Sequence, residues 1–172
     1  MIEDARRLAL NSVEHLRALA RGLHPGVLSA RGLAAALAGL AAEAPILVKV
    51  RCEDDLGLMS PEAEAAAYFC TAETLANVYK HSEATEALVE VEQDAGVLVL
   101  SVTDDGVGGA TIIPGRGLHG LVDRLSPLDG TLEVGHLHDS PGLTGRARPG
   151  TRILVTLPLR SEPGSPLVET RS

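Results

Sequence analysis

The order of elements legible in the sequence predicts an α+β fold: a two-layer sandwich in which a mixed, mostly antiparallel sheet carries helices on one face. Three observations carry that prediction. A clear helix start, Ser60-Pro61, follows an alternating strand; two alternating strands flank the turn "QDAG"; and a glycine-crowded loop leads into an amphipathic helix and two further strands.

Taken in order, residues 2–23 read as a helix whose apolar positions Ile2, Ala5, Ala9, Val13, Leu16, Leu19 or Ala20, and Leu23 step by threes and fours. So narrow a stripe suits packing against another helix, including one of a partner chain. Pro25 and Gly26 break the pattern. A second helix is expected from Ser29, its candidate N-cap, with Leu33, Leu37 and Leu40 as its apolar face and Pro45 as its stop. Residues 46–53 alternate as a strand. The helix from Ser60 has proline at its first position, where the missing N–H costs nothing. Residues 86–93 and 97–104 form a hairpin, and Leu118, Leu121, Val122 and Leu125 mark the helix after the glycine run. Strands are expected at 131–137 and 151–157, and a disordered tail from about 160.

The formal charge of −8 argues against a surface that tracks nucleic-acid phosphates, so no nucleic-acid partner is expected. Apolar residues make up 45 % of the chain but aromatics only 2 %, so the core must be aliphatic. Cys52 and Cys70 have no metal-type spacing around them and read as two reduced thiols. No stretch approaches the ~20 apolar residues of a membrane span. The chain is therefore expected in the cytoplasm, including as the cytoplasmic part of a membrane-anchored sensor.

Chemistry enters at the strand ends. Leu98, Leu100 and Val102 share one face of a strand that Asp104 continues, and Thr151 begins the apolar face of Ile153, Val155 and Leu157. A strand-end Asp often just caps a turn, but two inward polar groups suggest a polar ligand at the core edge. Gly106, Gly108 and Gly109 permit close backbone approach, while Gly115 and Gly117 precede a helix whose first N–H groups attract phosphate. On the long helix, Glu73, Asn77, Lys80 and His81 fall within one arc at about 100° per residue. A solvated face would produce the same arc. Read as a site, Asn77 offers a hard oxygen to Mg²⁺, Lys80 charge to phosphates, and Glu73 a proton acceptor.

These stretches resemble a family. "ETLANVYKH" is similar to the N box, "DDGVG" to the first glycine box and "GRGLHGLVDRL" to the second glycine box of the Bergerat-fold (GHKL) ATP-binding domain, shared by sensor histidine kinases, gyrase and MutL. "GLVDRL", "LDGTLEV" and "GTRILVTLP" most resemble the catalytic domains of NarL/DesK-type sensor histidine kinases, and the likeness runs from about residue 16 to 159.

The resemblance implies an ATP-dependent protein histidine kinase of a two-component system. It would bind Mg-ATP and pass the γ-phosphoryl group to a histidine outside this chain. By that resemblance Asn77 holds Mg²⁺, Glu73 is the base or polarising acid, and Lys80 and His81 lie by the phosphates. Asp104 accepts the adenine amino group with Thr151 in support through a water. Gly106 and Gly108 shape the adenine end, and Gly115, Gly117, Leu118 and Gly120 form the lid hinge and phosphate-side helix start.

The implied organisation is the end of a dimerisation helix and linker over 1–27, the catalytic domain over 28–159, and a tail over 160–172. The implied partners are a His-bearing dimerisation domain, a response regulator, and a second copy through the N-terminal helix. His24 is followed by Pro25 where an acceptor histidine would precede Asp, and His15 reads as an ordinary seam residue. Two related readings share these features: a nucleotide-binding module without turnover, and an anti-sigma-type serine kinase. A purely structural dimerisation domain is the reading in which the polar arc is only solvated.

Overall fold

Alternation of apolar and polar side chains brings five strands into one sheet, described by a computed structural model for residues 26–53, 56–113, 117–136 and 148–159. The expected helix over 2–23, Gly115 and the expected tail from 160 lie outside these residues. The elements are α1 (Gly26–Ala42), β1 (Leu47–Cys52), α2 (Pro61–Asn77), β2 (Glu86–Asp94), β3 (Val97–Asp104), α3 (Gly117–Leu125), β4 (Thr131–Gly135) and β5 (Thr151–Pro158). The sheet order is β1-β2-β3-β5-β4. β1 runs parallel to β2 and every other pair is antiparallel, the mixed sheet that the element order predicts.

The three described helices cover one face. Val89 and Val91 of β2, Leu98, Leu100 and Val102 of β3, and Ile153, Val155 and Leu157 of β5 join Leu33 and Leu37 of α1, Ala67 and Leu75 of α2, and Leu121 and Leu125 of α3 in a single cluster. Leu37, Leu98, Leu100, Leu125 and Leu157 are at most 1 % exposed. Each such side chain contributes about 2 kcal/mol of burial free energy. The opposite face carries cross-strand ion pairs, Lys49 with Glu86 and Arg51 with Glu90.

Local chemistry explains most boundaries. Ser60 caps α2 by accepting the Ala63 N–H at 3.2 Å, with Pro61 at the first helical position and Glu62 and Glu64 favouring the positive end of the helix dipole. Ala95 and Gly96, with φ of 48° and 80°, form a two-residue turn whose twist matches the hairpin and carries β2 one residue further than expected. Pro127 falls in a short 3-10 turn, Ser126–Leu128, that ends α3.

Three expectations need correction. Ser29 caps no helix, because α1 already starts at Gly26 and is interrupted at Gly32, whose φ of 75° and ψ of 175° bend the chain there. The apolar positions beyond the bend, Leu33 and Leu37, are buried as expected. The helix bearing Asn77 does not stay α-helical: Val78–Ser82 form a π turn that ends at Glu83 in the left-handed region. β4 ends at Gly135, two residues earlier than the alternation suggested.

Candidate nucleotide site

Asp104 ends the inner face of β3 and is 3 % exposed. Its register partner on β5 is Thr151, 7 % exposed. The carboxylate accepts the Gly106 N–H at 2.8 Å. Burial pushes its pKa above the ordinary carboxylate value; the Gly106 N–H pulls it down, neighbouring Asp105 raises it further, and the Thr151 and Ser82 hydroxyls lower it. Ser82 has a single hydroxyl proton and aims it at the Val78 carbonyl at 2.8 Å. Gly106 and Thr151 are therefore the donors on which the charged form depends.

The adjacent carboxylate does something else. Asp105 turns outward and accepts from Thr85 N (2.7 Å), Thr85 Oγ1 (2.8 Å) and Glu86 N (3.0 Å), tying the start of β2 to the end of β3. One acid of "DDG" is held for structure and the other points into the core. Asp105 was not picked out from the sequence, although the hairpin register signals it: the Ala95-Gly96 turn sets Ala87 opposite Asp104, and so Glu86 opposite Asp105.

Ser82 also escaped the sequence reading. Its carbonyl accepts the Val107 N–H at 2.8 Å, so the end of the π turn is bonded to the glycine loop. Gly106 must be glycine there, because a Cβ would lie 2.2 Å from that same carbonyl and 2.6 Å from Asp104 Oδ1. Gly108 adopts φ of 72°, and the Gly150 N–H donates to the Gly106 carbonyl at 3.0 Å. Arg148 reaches the Glu83 carbonyl at 3.3 Å and its carboxylate at 3.5 Å. The exit of the π turn, the glycine loop and the approach to β5 thus form one hydrogen-bonded junction around Asp104.

Glu73 and Asn77 meet at the start of α3. A Cβ on Gly117 would stand 3.7 Å from both Asn77 side-chain heteroatoms and 3.8 Å from Glu73 Oε1. Two oxygen-bearing side chains are thereby set against the first residue of a nine-residue helix, whose leading N–H groups have no intrahelical acceptor. Hard oxygens beside an anion-attracting helix end suit a cation that shares its coordination with phosphates.

Among the remaining residues singled out from the sequence, Leu118 packs against the core cluster, while Lys80, His81 and Gly120 are exposed. The π turn removes the 100° spacing on which the arc of Lys80 and His81 was drawn. Tyr79, on that turn, is 36 % exposed, and partial burial raises its phenol pKa from 10.0 to about 12. Val107, Ile112 and Ile113 of the loop are 43 %, 39 % and 44 % exposed.

No family model matches the chain. It is 33 % identical over 153 residues, 86 % of its length, to the sensor histidine kinase NarS of Mycobacterium tuberculosis (strain ATCC 25618 / H37Rv), of which it covers 34 %. It is 31 % identical over 107 residues, 62 % of its length, to the sensor histidine kinase YvfT of Bacillus subtilis (strain 168), of which it covers 26 %. The chain thus spans about a third or less of these relatives. Among solved structures, the mycobacterial sensor histidine kinase MprB superposes with a TM-score of 0.53 at 21 % identity, over 74 % of this chain and 92 % of that one. That likeness concerns the fold.

Proposed function

We propose, since the chain belongs to the sensor histidine kinase family and carries its Bergerat-type α+β fold, that it binds Mg-ATP and supplies the catalytic half of a phosphoryl transfer to histidine. The observation that carries this reading is Asp104: a carboxylate 3 % exposed, fixed by Gly106 N–H and opposed by Thr151. A buried acceptor held so firmly suits an N–H donor such as the adenine amino group, with Thr151 in support. Gly106 and Gly108 shape that end.

The phosphate end is assigned to the start of α3, with Gly115, Gly117, Leu118 and Gly120 as hinge and helix start. Asn77 and Glu73 supply oxygens there, Asn77 to Mg²⁺ and Glu73 as the base. Among the described residues no group of three or more His, Cys, Asp or Glu could hold a metal, so the cation would share phosphate oxygens. Lys80 and His81, both exposed, are assigned to the phosphates on the strength of the family resemblance. Mg-ATP would contribute its γ-phosphoryl group: an N–P bond forms on the acceptor imidazole, the P–O bond to ADP breaks, and the imidazole proton passes to Glu73 or water. Positioning and charge neutralisation supply most of the rate.

The acceptor belongs to a His-bearing dimerisation domain outside the described residues, with a response regulator downstream and a second copy paired through the N-terminal segment. We assign residues 28–159 to the catalytic domain on the same grounds. Among the described residues no helix is long and apolar enough to cross a membrane.

Calorimetric titration with Mg-ATP tests the reading. Wild type is expected to bind, and Asn77→Ala and Asp104→Ala to lose at least about tenfold in affinity, the equivalent of one charge-assisted hydrogen bond. Unchanged binding in both variants overturns the nucleotide site. Labelled phosphate reaching a supplied His-bearing dimerisation domain supports the kinase. Normal binding with no transfer selects the module without turnover, the reading favoured by the bulky Tyr79 two residues from Asn77.

A further inference from the structure

Phe69 is the only phenylalanine of the chain, and it lies under an arginine. The Arg124 guanidinium carbon stands 4.7 Å from the ring centroid, within cation–π range. Phe69 is 8 % exposed, and the neighbouring Tyr68 ring meets it edge-on at 5.5 Å and 74°. Arg124 also lies near enough to the buried Cys70 thiol for its charge to pull against the upward push that burial gives that group. The guanidinium is therefore seated over α2 rather than extended into water.

Phe69, Glu73 and Asn77 follow one another at i, i+4 and i+8 along one face of α2. On α3, Gly117 and Arg124 are seven residues apart, two turns along one face. Asn77, at the end of α2, meets Gly117 at the start of α3, and Phe69, two turns earlier, meets Arg124 at the end. The helices are antiparallel, and these two contacts stand at opposite ends of the shared face. The separations agree, at about 12 Å along α2 and about 10 Å along α3. Between the points, Gly120 has no side chain, and a Cβ there would find no atom within 4 Å. Leu121 and Leu125 are buried beneath α3, and at the Asn77 end α3 offers only Gly117, which has no side chain. Arg124 adds a side-chain contact at the far end, where its guanidinium sits on the Phe69 ring and opposes sliding and rotation of α3 along α2.

We propose that Arg124 is a positioning residue. Stacked on Phe69, it fixes where the N-terminus of α3 stands over Glu73 and Asn77 and so sets affinity for the phosphate end of a nucleoside triphosphate, an inference that rests on the nucleotide reading above. Asp104 lies on the sheet and does not depend on the stack, so the base-binding end is left intact when the stack is removed. The phosphate end alone should answer to it.

The test compares Arg124→Gln, Arg124→Lys, Phe69→Leu and Phe69→Tyr in the full chain, with Mg-ATP and adenosine as separate probes and amide hydrogen exchange of α3 as a ligand-free readout. Arg124→Gln and Phe69→Leu are each expected to weaken Mg-ATP about fivefold while leaving adenosine unchanged, the size of one partly buried cation–π contact. The double variant should lose no more than either single one, because both remove the same contact. Phe69→Tyr keeps a ring and should bind as wild type. Arg124→Lys keeps the charge without the plane and should fall between. Exchange across 117–121 should quicken in Arg124→Gln and Phe69→Leu and stay slow in Phe69→Tyr. Equal loss of both ligands, additive losses, or unchanged exchange in Arg124→Gln overturns the proposal. If wild type binds no Mg-ATP, the nucleotide reading has failed instead, and the exchange comparison still decides whether the stack positions α3.

Discussion

Asp104 and Thr151 are directly opposed across β3 and β5, a carboxylate and a hydroxyl that are 3 % and 7 % exposed at the site end of an otherwise aliphatic inner face. Burial raises the Asp104 pKa above its ordinary value of 3.8, so the folded chain holds that proton more tightly than the unfolded one. The contribution to stability is accordingly full below the ordinary value and is lost as pH rises through the raised folded value. Asp104→Asn removes the titration but keeps an acceptor for Gly106. Thermal unfolding followed against pH should lose this falling component in the variant. At neutral pH the variant should be at least as stable as wild type, while Mg-ATP affinity drops.

Gly106 and Gly120 should respond to alanine in opposite ways. At Gly106 the new methyl meets the Ser82 carbonyl at 2.2 Å, and backbone cannot swing aside as a side chain can. Gly106→Ala is expected to cost about 2 kcal/mol or more, the scale of a forced overpacking. At Gly120 nothing lies within 4 Å and the residue is helical, so Gly120→Ala should stabilise by about 0.5–1 kcal/mol. Urea unfolding of the two variants separates these outcomes by the sign of the change in midpoint.

Ser60→Ala removes the side-chain acceptor for the Ala63 N–H at the start of α2. A loss of about 1 kcal/mol is expected in the same unfolding experiment. Asn77 lies at the far end of this 17-residue helix, about 25 Å away, so Mg-ATP affinity should be unchanged in the folded variant.

Tyr79 should remain neutral well past the pH at which an exposed tyrosine ionises. Its folded pKa is raised from 10.0 to about 12 by burial, so its contribution is full below 10.0 and is lost as pH climbs through about 12. Phenolate absorbance in a Tyr79→Phe background should lack a step near the upper value. That substitution should also lessen the alkaline loss of stability.

What the sequence made legible followed from local rules with few alternatives. Ser60-Pro61 has one good reading, and the alternation around Ala95-Gly96 fixes both the hairpin and the inward direction of Asp104. The polar pair Glu73 and Asn77 stood one turn apart, and α geometry still holds over that interval. The misses came where the backbone leaves the regular geometry that periodicity assumes. No alternation announces the π turn at Val78–Ser82, because five residues without a full period look the same in either helix. Gly32 falls inside the stretch expected as one helix from Ser29, and a glycine in an apolar-periodic run does not by itself announce a bend. Ser82 matters through its backbone carbonyl, which side-chain chemistry does not reveal.

The two-residue turn at Ala95-Gly96 has a kinetic consequence. β2 and β3 are joined by the shortest connection in the sheet, while β1 must span residues 53–85 to meet β2 and β5 must wait for residues 105–150. Closing the longer loops costs more chain entropy before any pairing rewards it. The central hairpin is therefore expected to form first, with Asp104 at its end, and Thr151 and the α2 carboxylate–amide pair to gather round it later. Pulse-labelled hydrogen exchange during refolding should protect amides of 86–104 ahead of those of 47–52. The reverse order would mean that the site is assembled from its periphery inward.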